Sequence, residues 1–230
     1  MANRRLLMDR MQQAVASSAR HHCSGAMLFV DLDHFKEVND ICGHADGDRM
    51  LLEVAKRLAA CVRAGDTIAR LGGDEFVVLL EDLSENAMEA GTQAKLVAEK
   101  ILSILAQPYL LSEGPRHGSA SVGVALFGSD AEMSRDGPLS RADLAMYQAK
   151  AVGGNTLRFF DPQMQVVVAA RATLEADLRL ALDAKSFVLF YQTQVCGQRI
   201  CGVEHWCAGA THSAVWCRRW SSLAWPKKRG

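Results

Sequence analysis

The sequence predicts an α/β domain of the mixed (α+β) kind: a central, mainly antiparallel sheet with its helices on one side. Three observations carry this. Short β-type runs alternate with longer segments of helical periodicity in the order α-β-α-α-ββ-α-β-β-α-β, which leaves one sheet to be covered by the helices between its strands. Two β-type runs, Thr67–Leu71 and Val77–Leu80, flank Gly72-Gly73-Asp74-Glu75-Phe76. Paired glycines at such a tip supply the positive φ angles of a tight hairpin, so these strands run antiparallel. A composition of 49% hydrophobic and 23% charged residues over 230 positions is that of a globular chain with one good core.

Taken in order, Leu6, Leu7, Met11, Ala14 and Val15 recur at helical spacing between Arg4 and Arg20, predicting an amphipathic first helix. The apolar run Gly25–Val30 reads as a strand and ends in the acidic cluster Asp31-Leu32-Asp33. Phe35, Val38 and Ile41 predict a short helix, Gly43–Gly47 a polar turn, and Met50, Leu51, Val54, Leu58 and Cys61 a longer helix from about Asp48 to Val62. After the hairpin, a helix over Glu85–Leu105 stops before Pro108. Tyr109–Leu111 and Ser119–Phe127 read as strands, Leu139–Ala151 as a helix and Thr156–Phe160 as a last strand.

A new helix is expected from Gln163, with Leu174, Leu178, Ala181 and Leu182 in phase, leading into the β-type segment Phe187–Tyr191. Beyond Val195 the texture changes. Trp206, Trp216, Trp220 and Trp225 fall there with Cys196, Cys201, Cys207 and Cys217, without helical or strand periodicity, and no regular structure is expected. The chain thus divides into 1–162, a second module at 163–195 and an aberrant tail at 196–230. Cys196, Cys201, His205, Cys207, His212 and Cys217 fit no paired-ligand zinc spacing, and a shifted reading frame accounts better for the tail's composition.

Twenty-six basic and 26 acidic residues cancel, so no global positive field exists to attract nucleic acid polymers, whereas a small anionic ligand remains compatible. No apolar stretch approaches the ~18 residues that span a bilayer, and the amino end lacks the apolar core of a signal peptide, so a cytoplasmic protein is expected. Cys23, Cys42 and Cys61 stand singly in element patterns and read as free thiols of a reducing compartment.

The chemistry concentrates in two acidic clusters, one after a strand and one at a hairpin tip, which together can form the two halves of an oxygen-ligand metal site. Asp31-Leu32-Asp33-His34-Phe35-Lys36-Glu37-Val38-Asn39-Asp40, Gly43-His44, Gly47-Asp48, Gly72–Phe76 and Ala142–Lys150 resemble, in order and spacing, the GGDEF diguanylate cyclases over residues 3 to 161. The resemblance implies a ferredoxin-like, polymerase-palm or nucleotide-cyclase-type fold. It also implies a transient homodimer in which two GTP molecules are condensed to cyclic di-GMP with release of pyrophosphate.

By the same resemblance, Asp31, the main-chain carbonyl of Leu32 and Asp74 hold Mg²⁺ (or Mn²⁺), and Asp74 or Glu75 helps deprotonate the attacking 3′-hydroxyl. Such a reaction builds charge on phosphate oxygens and calls for hard cations held by carboxylates. Asn39 and Asp48 would read guanine, since a carboxylate accepts from its N1–H and N2–H₂ edge while an amide both donates and accepts. Asp48 also suits the N-cap of the helix it begins. Lys36 and Lys150 would meet phosphates, with Gly72, Gly73 and His44 around the nucleotide. Arg63 and Asp66 match an Arg-x-x-Asp product-inhibition site.

Two departures stand out. The family pattern Ala-Lys-x-x-Gly-Arg-Asn reads Ala149-Lys150-Ala151-Val152-Gly153-Gly154-Asn155, so Gly154 replaces a phosphate-binding arginine and Gly154→Arg is expected to restore a contact. The start at Asn3-Arg4-Arg5 lacks the Asp-x-Leu-Thr segment that introduces the family's domain, suggesting a clipped amino end. The second module resembles the opening of an EAL-type cyclic di-GMP phosphodiesterase through Leu174-Glu175, Leu178–Leu182 and Phe187–Val195. Glu204-His205-Trp206 stands where Glu-Ala-Leu is expected, and a (β/α)₈ barrel needs about 200 further residues. A weakened GTP- or cyclic di-GMP-binding module, or a non-functional fragment, are the competing readings.

Overall fold

The structure is a computed structural model that describes residues 1–112, 114–128, 137–162, 164, 176–177, 179–185, 187–196, 199–210 and 215–224, with side chains described up to 185 and at 191–195. The chain divides into two units, Met1–Gln165 and Val166–Gly230.

The first unit contains helix α1 (Arg4–His21), strand β1 (Ser24–Asp33), helices α2 (Phe35–Cys42) and α3 (His44–Ala59), and strands β2 (Thr67–Gly72) and β3 (Glu75–Leu83). Helix α4 (Ala87–Leu105), strands β4 (Tyr109–Leu111), β5 (Gly114–Arg116) and β6 (Ser119–Phe127), helix α5 (Pro138–Ala151) and strand β7 (Leu157–Phe159) complete it. Its main sheet has the order β2-β3-β1-β6-β7. β1 runs antiparallel to both β3 and β6, and only β6–β7 is parallel. The predicted order holds with one addition. β5, carrying Pro115 between glycine and arginine, was too short and polar to register as a strand, and it pairs with β4 in a hairpin outside the main sheet.

Helices cover both faces of the sheet, not one. The sequence already carries the reason: Gly25–Val30 is a continuous apolar run rather than an alternating one, and every one of these β1 residues is buried, as strands covered on both faces require. Leu28, Val30 and Leu32 pack with Phe35, Met50, Val54, Leu58, Ala94, Ala98 and Ile101 from α2, α3 and α4. Met27 and Phe29 pack on the other face with Leu7, Met11, Ala142 and Met146 from α1 and α5. α5 lies close to the sheet because a Cβ on Gly123 of β6 would run into the α5 backbone at Ala142 and Met146. The buried face of α5 is correspondingly small, with Ala142, Ala145 and Ala149 at 0% exposure.

α3 begins at His44, capped by Gly43 at φ +83°, so the predicted polar turn shrinks to one residue and Asp48 lies inside the helix rather than at its N-cap. Gly43 adopts the left-handed region that lets α2 end and α3 begin without an intervening loop.

In the second unit, β8 (Phe187–Cys196), β9 (Arg199–Ala210) and β10 (Val215–Ala224) form an antiparallel sheet in the order β10-β9-β8. The tail expected without regular structure therefore has an extended, paired backbone over much of its length. Residues 179–183 are helical. Leu174, Glu175, Leu178, His212 and Trp225 lie outside the described residues.

Candidate nucleotide and metal site

The register of the sheet builds the site. Asp31 is paired with Glu75 of β3 on one side and Ser121 of β6 on the other, and directly opposed residues of antiparallel strands project to the same face. The N–H of Leu32 donates to the carbonyl oxygen of Asp74 at 3.4 Å, tying the end of β1 to the hairpin tip. The Leu32 side chain is buried in the core under α3 and α4, which leaves only its main chain available to a ligand.

The tip itself is a two-residue turn, Gly73-Asp74, between the paired Gly72 and Glu75. Only Gly73 has positive φ, +48°, whereas Gly72 was expected to need it as well. A Cβ at either glycine would meet nothing within 4 Å, so the turn is open on its outer side and its backbone can be approached closely. Arg70 holds this turn in shape: its Nε and Nη2 donate to the Gly73 carbonyl oxygen at 3.0 and 2.7 Å, and its guanidinium lies 5.9 Å from the centre of the Phe76 ring. Sequence reasoning passed over Arg70. Its signal was a lone cation just before paired glycines in an otherwise apolar strand.

Asp31 is 5% exposed. The Lys150 ammonium, from the last turn of α5, lies 2.5 Å from Asp31 Oδ1. This ion pair is the contact that engages Oδ1 among the described residues. Burial raises the Asp31 carboxyl from 3.8 to about 6; Lys150 opposes this, while the nearby negative charges of Asp74 and Glu75 add to it. A buried carboxylate beside two further acids fits a divalent cation that would relieve the crowded negative charge. Among the described residues no group of three or more His, Cys, Asp or Glu side chains could hold a metal. Two carboxylates and a main-chain carbonyl would be a sparse donor set of the kind that Mg²⁺ completes with water and substrate phosphates.

The Asn39 amide of α2 packs against Gly47 of α3, which is buried and precedes the exposed Asp48. A Cβ on Gly47 would occupy the position of Asn39 Oδ1, so glycine is what admits the amide between the two helices. This is a second residue whose role the sequence did not disclose. Asp48 and His44 are exposed on the first turns of α3, and Lys36 is exposed on α2.

Arg63 and Asp66 lie elsewhere. The Asp66 carboxylate accepts from the N–H of Arg63 at 2.8 Å and from the N–H of Glu81 at 3.4 Å. Glu81 is at the far end of β3 from Glu75, roughly 20 Å away at a strand's rise per residue. Instead of pairing with Arg63, Asp66 closes the turn that presents it. Among the described residues no partner engages the exposed Arg63 guanidinium.

The geometry at Gly154 weighs against the expected gain from arginine there. This residue has φ +73°, and a Cβ there would stand 2.9–3.0 Å from the Asp33 carboxylate atoms. Asp33 cannot readily yield, because it accepts from Ser119 Oγ at 2.7 Å, Ser121 Oγ at 2.7 Å and the N–H of Asn155 at 2.9 Å. An arginine at 154 is disfavoured by both backbone and neighbour.

Fold and site define a class: a palm-like mixed α/β domain whose central strands end in a carboxylate pair beside an open glycine turn. The family model described as "Diguanylate cyclase, GGDEF domain" matches residues 1–156, and the chain belongs to this family. It is 46% identical over 193 residues, 84% of the chain, to the bifunctional diguanylate cyclase/cyclic di-GMP phosphodiesterase MucR of Pseudomonas aeruginosa, of which it spans 27%. It is 39% identical over 149 residues, 64% of the chain, to diguanylate cyclase TpbB of the same species, spanning 33% of that protein. The solved GGDEF domain of TpbB (YfiN) superposes with a TM-score of 0.68 at 35% identity, over 74% of this chain and 95% of that one. No helix among the described residues is long and apolar enough to cross a membrane.

Proposed function

We propose that the first unit condenses two GTP molecules into cyclic di-GMP, releasing pyrophosphate, as a homodimer in which each domain presents one GTP. The observation that carries this reading is the buried Asp31 carboxylate, ion-paired with Lys150, set directly against Glu75 and tied through Leu32 to Asp74. Asp31, Asp74 and the Leu32 carbonyl would hold Mg²⁺, which when bound supplies charge stabilisation at the phosphates.

The remaining work falls to the chain's own groups. Asn39 and Asp48 orient the base, and the open turn at Gly72-Gly73 lets phosphate oxygens approach its backbone. Lys36 and Lys150 offset the negative charge that grows on the α-phosphate oxygens as the 3′-oxygen of the second GTP forms its bond to phosphorus and the bond to pyrophosphate breaks. Glu75 or Asp74 takes the proton of that 3′-hydroxyl. Two domains facing each other each provide one such half-reaction, and the product closes after the second bond.

A second reading, nucleotide binding without turnover, is favoured by the missing arginine at 154. For residues 163–195, the start of an EAL-type domain is our reading, supported by the match to MucR extending past the GGDEF region. Incubation of the purified protein with GTP and Mg²⁺, with chromatography of the products, tests the function: cyclic di-GMP supports turnover, and bound but unreacted GTP supports the second reading.

A further inference from the structure

Lys150 meets Asp31 from the final turn of α5, and the loop after that turn decides where the ammonium stands. This loop leaves the helix through three left-handed conformations, Gly153 at φ +115°, Gly154 at +73° and Asn155 at +47°. The N–H of Gly153 donates to the Lys150 carbonyl at 3.0 Å and that of Gly154 to the Ala149 carbonyl at 3.2 Å, closing the helix end. The Asn155 N–H then donates to Asp33, whose other oxygen interactions come from Ser119 and Ser121 on β6. Asp33 shares β1 with Asp31, two residues on and on the same face of the sheet.

Among the described residues every donor on Asp33 is neutral, and the groups it joins are the end of β1, the start of β6 and the loop behind Lys150. We propose that Asp33 is a positioning residue, whose carboxylate pins the 153–155 loop to the sheet and so holds the Lys150 ammonium at Asp31. The same arrangement suits glycine at 154: with the loop seated directly on Asp33, a Cβ there would crowd its carboxylate at 2.9–3.0 Å, and phosphate charge is left to Lys36 and Lys150. The catalytic consequence rests on the cyclase reading, whereas the positioning itself does not.

The test is a double-mutant cycle between Asp33→Ala and Lys150→Ala, with binding of Mg²⁺ and 3′-deoxy-GTP, which lacks the attacking hydroxyl, as the readout. Each single variant is expected to weaken binding about ten-fold, as loss of one charged contact does, and the double variant no more than Lys150→Ala alone. A double variant weakened by the product of the two single effects overturns the proposal, because Asp33 would then act independently of Lys150. A merely structural role would lower the folded fraction without changing the affinity of the folded molecules.

In the nucleotide-free protein, Asp33→Ala should speed hydrogen exchange at the Asn155 amide and shift the Lys150 side-chain NMR signal. Unchanged exchange and an unchanged Lys150 signal overturn the proposal whether or not nucleotide binds. If the loop responds as stated while the unaltered protein fails to bind 3′-deoxy-GTP, the positioning stands and the cyclase reading falls. Ser119→Ala, which removes one donor and leaves Asp33 in place, gives the same readouts in smaller measure should Asp33→Ala fail to fold.

Discussion

At Asp31, burial sets the pH behaviour. The folded, metal-free protein protonates this carboxyl at about 6 against 3.8 ordinarily, so between those values the unfolded chain binds fewer protons than the folded one. Stability contributed at this site therefore falls as pH rises from about 4 to 6, by up to about 3 kcal/mol, and levels above. Asp31→Asn should flatten that part of the stability–pH curve in metal-free urea titrations; an unchanged slope would mean the carboxyl titrates normally. Cation binding runs the other way, since it needs the ionised form, and Mg²⁺ affinity should weaken below about pH 6.

Gly154→Arg is a further residue-scale test. With a left-handed backbone and the Asp33 carboxylate 2.9 Å from the added Cβ, the variant should lose roughly 1–3 kcal/mol of stability and gain no turnover. A folded variant with raised kcat/KM would show that the loop moves aside and that the family's arginine position is still usable here. Gly47→Ala, by displacing the Asn39 amide, should weaken GTP binding more than ATP binding, and equal losses for both nucleotides would remove Asn39 from base recognition.

Among the elements, α5 carries Lys150 to the site only because β6 has glycine at 123. Gly123→Ala pushes a Cβ into the α5 backbone, so a melting-temperature loss of several degrees and weaker GTP binding are expected together. Loss of neither would show that α5 is loosely seated. The sequence announced most of these elements through periodicity, and the Gly-Gly-Asp-Glu turn announced the hairpin. What it hid has physical reasons. The two-sided coverage of the sheet lay in an unbroken apolar run that reads as a strand without stating which faces are covered. Gly47 and Asp33 act through contacts across a helix pair or with residues distant in sequence, which no local pattern records, whereas Arg70 acts within its own hairpin and left only a lone cation as its signal. Arg63 and Asp66 matched a product-inhibition pattern, but spacing cannot show that the Asp66 carboxylate already accepts from backbone N–H groups.

For the whole molecule, the first unit has its own sheet and two cores, and the solved TpbB domain that it resembles comprises only the GGDEF region. A chain ended at Pro162 should keep its melting temperature within a few degrees, and a larger fall would show that the second unit supplies packing contacts. The central claim is that Asp31, Asp74 and Glu75 form a site that joins two GTP molecules. The most direct measurement quantifies cyclic di-GMP and pyrophosphate together in the unaltered protein and in Asp74→Ala, with GTP and Mg²⁺. The account predicts about two pyrophosphates for each cyclic di-GMP, and a loss of at least about a hundred-fold in the folded Asp74→Ala protein. Product formation that survives Asp74→Ala, or GTP consumption that yields no cyclic di-GMP, would contradict it.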